Sequence, residues 1–258
     1  MSWRRIKAGI VQILVRAGST LFFRPDSRRE STTLPANLEI GNGAQIAVLV
    51  PHPDDEVIAT YHFIETFGED HHIDLIYVTE SVESATRCER FAESAAATAE
   101  LRVRNTARWG FVDGSLRHDD PALLGKLQEI AESYAIFLAP CPVDVTPDHA
   151  ELAMAASRLL PATKLLWYRS TWLTFTLDQA DLVVTGSAAR KRDALRSFRT
   201  QSGLALQNVV SFAEAEARRA GLPAASLEAF RLASSGAPRI KPLNSLSLGS
   251  LMRFYRWQ

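Results

Sequence analysis

Pro51-His52-Pro53-Asp54-Asp55-Glu56 places an imidazole three residues before a carboxylate, with two further acids beside it. Helical spacing begins at Val57, and side chains three apart at the entry to a helix share one face. An imidazole nitrogen and a carboxylate oxygen both suit Zn2+, and a catalytic zinc takes three protein ligands and leaves one position open. His52 and Asp55 are candidates for two of them. His149 is the candidate for the third, because Asp144-Val145-Thr146-Pro147-Asp148-His149 also leads from a strand into a helix. Asp54 lies beside these ligands and could accept a proton from a water activated there. Taken singly, the acids have a plainer use as helix N-terminal charges, and His52 as a hydrogen-bonded loop histidine. Packed at one strand end, like charges need a cation to relieve them.

The elements that must position these residues alternate. Residues 45–50 read as a buried parallel strand and 56–67 as a helix stopped by Gly68. Further strands are expected over 73–79, 107–112, 134–139 and 164–167, with helices over 83–102, 121–134 and 148–160 between them. Residues 171–184 read as more strand or an edge hairpin, and 188–200, 211–220 and 225–232 as helices. This order predicts an α/β fold, a mostly parallel sheet with helices on both faces. Sites in such sheets lie beyond the carboxyl ends of the strands. The Pro51–Glu56 stretch, Asp113 and the Cys141–His149 loop should therefore meet on one rim. The expected organisation is an N-terminal amphipathic segment and linker over 1–43, a domain over 44–234 and a tail over 235–258.

The 258 residues are 47% apolar and 22% charged, ordinary for a globular protein with a sizeable core. Lys plus Arg and Asp plus Glu both number 29, so bulk charge gives no support for nucleic-acid binding. Cys88 and Cys141 lack metal spacing and read as buried or free thiols, and nothing asks for an oxidising compartment; the expected location is cytoplasmic, with peripheral contact at the inner membrane surface as the alternative. Within residues 1–23, Arg4, Arg5 and Lys7 precede an apolar run that Arg16 interrupts. The run is too short to span a bilayer. Trp3, Ile6, Ile10, Ile13, Leu14, Ala17 and Leu21 fall at helical spacing. Such a helix could lie peripherally on an anionic membrane, or dock on its own domain or on another copy in a homo-oligomer. No glycine-rich dinucleotide fingerprint follows the first strand.

Pro51-His52-Pro53-Asp54-Asp55-Glu56 after a strand resembles the signature of the LmbE-like (PIG-L) family of zinc-dependent de-N-acetylases. Arg90-Phe91-Ala92-Glu93 is similar to that family's Arg-x-x-Glu helix, and Gly110-Phe111-Val112-Asp113-Gly114 to its Gly-x-x-Asp-Gly turn. Pro147-Asp148-His149 resembles the end of its His-Pro-Asp-His motif, and Lys191, Ala194, Leu195 and Gln201 fall as in its later section. The resemblance spans about residues 45 to 232. It implies a Rossmann-like fold and zinc held by His52, Asp55 and His149. It implies Asp54 as general base, catalytic roles at Thr146 and Asp148, and Arg90 and Asp113 near the sugar. Read from the sequence, Arg90 could instead pair with Glu93, and Asp113 could serve the turn before Gly114.

Thr146 departs from the family, which has a histidine there that helps stabilise the oxyanion or protonate the leaving amine. Asp148 would then lack its neighbour. Losing one transition-state donor typically costs about 100- to 1000-fold in turnover. Threonine offers one neutral hydrogen bond and no useful acid. The expected function is a zinc-dependent hydrolase removing acetyl from an N-acetylated amino sugar or glycoconjugate. The alternatives are a weakened or non-catalytic sugar- or metal-binding protein, and an amidase with a wider acyl pocket.

Overall fold

Strand β1 (Gln45–Val50) is buried from Ile46 onward, on both faces, as an unbroken apolar run demands. The computed structural model describes residues 41–170, 174–204, 206–222 and 225–238. Around β1 the chain winds in order through α1 (Asp55–Phe67), β2 (His72–Glu80), α2 (Ser84–Ala97) and β3 (Val103–Val112). It continues through α3 (Pro121–Ile130), β4 (Ile136–Pro140), α4 (Pro147–Leu159) and β5 (Leu165–Tyr168). The last elements are β6 (Leu182–Ser187), α5 (Ala188–Leu195), α6 (Gln207–Arg219) and β7 (Ala225–Leu232).

One seven-stranded sheet results, in the order β3-β2-β1-β4-β5-β7-β6. The first five strands are mutually parallel, and β7 runs antiparallel between β5 and β6. Val57, Phe63, Phe91, Leu195 and Val210 pack α1, α2, α5 and α6 on one face against Ile46, Val48 and Val50. Leu123, Leu127, Leu152 and Ala156 pack α3 and α4 on the other face against Ala47 and Leu49. The expected mostly parallel sheet covered on both faces is therefore present.

Residues 225–232 correct one expectation: they form a strand, not a helix. β7 is an interior strand, and all but its first and seventh residues are buried, so both faces are lined and period-two alternation disappears. A short apolar run of that kind cannot be told from a helix by spacing alone. Helix α2 ends at Ala97 rather than near 102. There the Thr98 hydroxyl donates to the Ser94 carbonyl at 2.9 Å, a stop with no glycine or proline to announce it. β3 starts at Val103, earlier than its apolar residues suggest, because it is a largely exposed edge strand. Residues 171–184 contain a 3-10 turn (Leu177–Gln179) and the start of β6, and 171–173 lie outside the described residues. The expectations for residues 1–23 and for the tail beyond 238 also lie outside them. Among the described residues no helix is long and apolar enough to cross a membrane.

Candidate metal and catalytic centre

β1 and β4 are adjacent, and the chain leaves them toward opposite faces, into α1 and α4 respectively. Such a switch point opens a crevice beyond the carboxyl ends of the strands. The end of β1 is tied on both sides. The Thr79 N–H and hydroxyl donate to the Pro51 carbonyl at 3.0 and 2.7 Å, and the Tyr168 hydroxyl donates to the Leu49 carbonyl at 2.9 Å. His52 and Asp55 leave this fixed point, and His149 enters from the first turn of α4.

His52, Asp55 and His149, far apart in sequence, meet as three donors on one side of the crevice. His149 Nε2 lies 3.0 Å from Asp55 Oδ2, His52 Nδ1 lies 3.3 Å from the same oxygen, and the two imidazole nitrogens are 3.3 Å apart. Ligands about 2.0–2.1 Å from a tetrahedral centre are separated by about 3.3–3.4 Å. The triangle thus fits one face of a zinc tetrahedron, and its two nitrogens and one oxygen suit that ion. Burial works against charge on Asp55, but the facing His149 and His52 outweigh it and hold its carboxyl far below the usual range. Burial likewise opposes a proton on His149, yet Asp55 and Asp144 push its pKa up to about 10. Without a cation the buried carboxylates hold a proton on that imidazole, the proton that a metal ion bound there would displace.

A second ring of carboxylates orients the two candidate histidine ligands. Asp144 Oδ2 lies 3.2 Å from His149 Nδ1 and also accepts the Ser170 hydroxyl. A carboxylate only accepts, so Nδ1 carries hydrogen and Nε2 is left for the metal position. Asp148 Oδ2 lies 3.1 Å from His52 Nε2, and Asp113 Oδ1 lies 3.3 Å from it. Asp148 is held in turn by the N–H groups of Gly114 at 2.6 Å and Leu116 at 3.1 Å. His52, Asp113 and Asp148 have the composition of a second metal group. With Nδ1 committed to the first triangle, however, Nε2 carries the hydrogen and donates to the two carboxylates. Asp148 therefore gains a partner that its sequence neighbours do not suggest, a histidine 96 residues earlier.

Asp54 is buried beside this group, with Arg90 Nη2 4.0 Å from its Oδ2. Burial, then the charge of Asp55, pushes its carboxyl well above the usual range, partly offset by Arg90. That makes it a stronger base than an exposed aspartate. Burial also pushes Glu56 up to about 7. Arg90 does not pair with Glu93, which accepts instead from the Thr200 N–H and hydroxyl at 2.9 and 2.5 Å. Arg90 Nη1 donates to Asp113 Oδ2 at 3.1 Å, and Nη2 to the Pro53 carbonyl at 3.3 Å. Asp113 keeps 40% side-chain exposure at the rim. Thr146 is the N-cap of α4; its N–H donates to Asp144 Oδ1 at 2.9 Å, and its side chain makes no capping bond. The rim thus gathers all eight candidate residues. The sequence alone assigns no role to Asp144 or Ser170. Their signal was positional: each follows the end of a strand adjacent to, or one removed from, β1.

Residues 47–160 match the family model described as PIG-L, GlcNAc-PI de-N-acetylase. No curated protein matches the chain. Among solved structures, an N,N'-diacetylchitobiose deacetylase from Pyrococcus horikoshii superposes with a TM-score of 0.62 at 14% identity, covering 95% of this chain and 98% of that one. A conserved protein from Thermus thermophilus gives 0.60 at 23% identity, over 78% of this chain and 99% of that one. The 4-carboxy-2-hydroxymuconate hydratase GalB from Pseudomonas putida gives 0.56 at 16% identity, over 77% and 98%. The fold is shared by all three; one is a deacetylase and another a hydratase, so fold alone does not choose the reaction.

Proposed function

We propose, from the match of residues 47–160 to the PIG-L family model, that the protein is a zinc-dependent N-deacetylase of an N-acetylated amino sugar or glycoconjugate. The observation that carries this reading is the triangle of His52, Asp55 and His149, sized for a tetrahedral ion, with the buried base Asp54 beside it. A zinc ion held there supplies Lewis acidity to an acyl oxygen and lowers the pKa of water. Asp54 takes a proton from the attacking water and returns one to the departing nitrogen. The amide C–N bond breaks, and acetate and a free amine leave. Asp113, half exposed at the rim, accepts from sugar hydroxyls, and Arg90 behind it fixes its direction.

Thr146 favours a second reading, a slowed or purely binding member of the same fold. Its hydroxyl is free of any capping bond and offers one neutral donor where an acid would speed departure of the amine.

Metal analysis after zinc reconstitution, together with acetate release from N-acetylhexosamine conjugates, tests both. One zinc per chain with acetate released is the expected result. Zinc without acetate supports the second reading, and failure to retain zinc overturns both. Asp54→Asn should keep zinc and lower kcat by about 100- to 10,000-fold; unchanged turnover removes Asp54 as the base.

A further inference from the structure

Asp54 has φ 144° and ψ −28°, and it is the one non-glycine residue with positive φ among the described residues. L side chains rarely adopt this backbone, and it persists only where the surroundings enforce it. The peptide that leads into it joins the Pro53 carbonyl to the Asp54 N–H. Both ends of that single peptide are gripped by buried charged groups. Arg90 Nη2 donates to the Pro53 carbonyl at 3.3 Å, and Glu56 Oε2 accepts the Asp54 N–H at 2.9 Å. The groups match the peptide's polarity: a guanidinium donor on the oxygen, a carboxyl oxygen as acceptor on the N–H. Turning the peptide over would aim its carbonyl at Glu56 and its N–H at Arg90, breaking both bonds inside a buried site.

The two grips share one origin. Arg90 and Ser94 stand four residues apart on one face of α2. The Ser94 hydroxyl donates to Glu56 Oε1 at 2.5 Å, and the Tyr77 hydroxyl lies 2.5 Å from Ser94 Oγ. Glu56, Ser94, Arg90 and Tyr77 are all buried, so the arrangement is shielded from competing water. A glutamate serving only as a helix N-terminal charge needs neither full burial nor a serine holding its second oxygen.

We propose that Glu56, Ser94 and Arg90 form a clamp on the Pro53–Asp54 peptide that keeps Asp54 in its positive-φ conformation. They are positioning residues: α2 acts through the peptide rather than on substrate. The consequence for turnover rests on Asp54 being the base; the conformational statement stands apart from it.

Crystal structures of Glu56→Met, Glu56→Gln and Ser94→Ala, with kcat and KM beside them, test the clamp. Methionine fills the volume but accepts no hydrogen bond, so Asp54 should move to negative φ and kcat should fall about 10- to 100-fold at unchanged KM. Glutamine keeps an acceptor for the Asp54 N–H; it should keep positive φ and recover at least about tenfold of the loss. Positive φ retained in Glu56→Met overturns the clamp at any level of activity. Should that variant fail to fold, Ser94→Ala decides. A lengthened Glu56–Asp54 bond with faster exchange of the Asp54 amide supports the clamp, and no change in either overturns it. A φ shift in Glu56→Met alongside a wild-type protein that releases no acetate sinks the deacetylase reading and supports the clamp.

Discussion

Replacing Asp144 by asparagine keeps its shape and removes its charge, at a residue that touches no candidate metal position itself. The wild-type carboxylate accepts three donors: His149 Nδ1 at 3.2 Å, the Ser170 hydroxyl, and the Thr146 N–H at 2.9 Å on its other oxygen. An amide has one accepting atom where the carboxylate has two. With its oxygen on His149, the amide turns its NH2 toward the Thr146 N–H, donor against donor. With its oxygen on Thr146, the NH2 faces Nδ1 and drives the imidazole to the tautomer whose hydrogen sits on Nε2. Nε2 is the atom that faces Asp55 at 3.0 Å and the proposed zinc. Outer partners of a ligating histidine are typically worth about 10- to 100-fold in metal affinity, which is about 1.4–2.7 kcal/mol. Titrating Zn2+ into chelated protein against a chromophoric competitor measures this directly, and the Tm of the chelated form separates affinity from folding. A Kd within twofold of wild type would refute the orienting role of Asp144.

Lys191→Met should destabilise the fold by about 3–5 kcal/mol in chemical denaturation, because it strips the cation from a buried carboxylate. Lys191 Nζ lies 2.6 Å from Glu228 Oε1 with both side chains almost fully buried, and Glu228 also accepts the N–H groups of His62 and Phe63 inside α1. A loss under about 1 kcal/mol would contradict this, since that is all an exposed pair is worth. The pH dependence of the metal-free protein has a definite sign. Glu56 holds its proton up to about 7 against 4.5 for an ordinary glutamate, and His149 up to about 10 against 6.5. In both windows the folded state binds more protons than the unfolded one, so stability falls as pH rises through them. Bound zinc takes the place of the His149 proton, so the decline across the upper window should vanish in loaded protein. Tm measured at several pH values with chelator and with zinc checks this; a chelated protein as stable near pH 10 as near 6.5 would contradict it.

The grouping of His52 with Asp55 at the end of β1 was legible because its signals are local. A strand run, a proline stop and a His–Asp spacing of three all fall within residues 45–55, and the strand and the start of the following helix appear where they were read. The convergence of Asp113 and the 144–149 loop followed from alternation and from the rule on strand ends. What stayed hidden depends on neighbours distant in sequence. Ser170 faces Asp144 only because β5 lies beside β4. β7 was misread because its position between β5 and β6 buries both faces and erases the alternation that marks a strand. Asp54's backbone angle has no sequence signature at all, since the residues that enforce it come from α2.

The chain position of Asp148 suggested that it depends on residue 146, and the geometry separates the two. Its oxygens are already engaged by Gly114, Leu116 and His52 Nε2. A threonine at 146 therefore strips nothing from Asp148, and the His52, Asp55 and His149 triangle keeps its supports on both flanks. In the proposed reaction, whatever the substitution at 146 costs should fall on the acyl group and the leaving amine, not on the ion. Affinity for metal and speed of turnover should then be governed by different residues: Asp144 and Asp148 through the imidazoles for the first, Asp54 and position 146 for the second. In this chain a tightly held zinc and a slow reaction are compatible, because nothing in the ring that orients the ligands passes through Thr146 except one backbone N–H to Asp144.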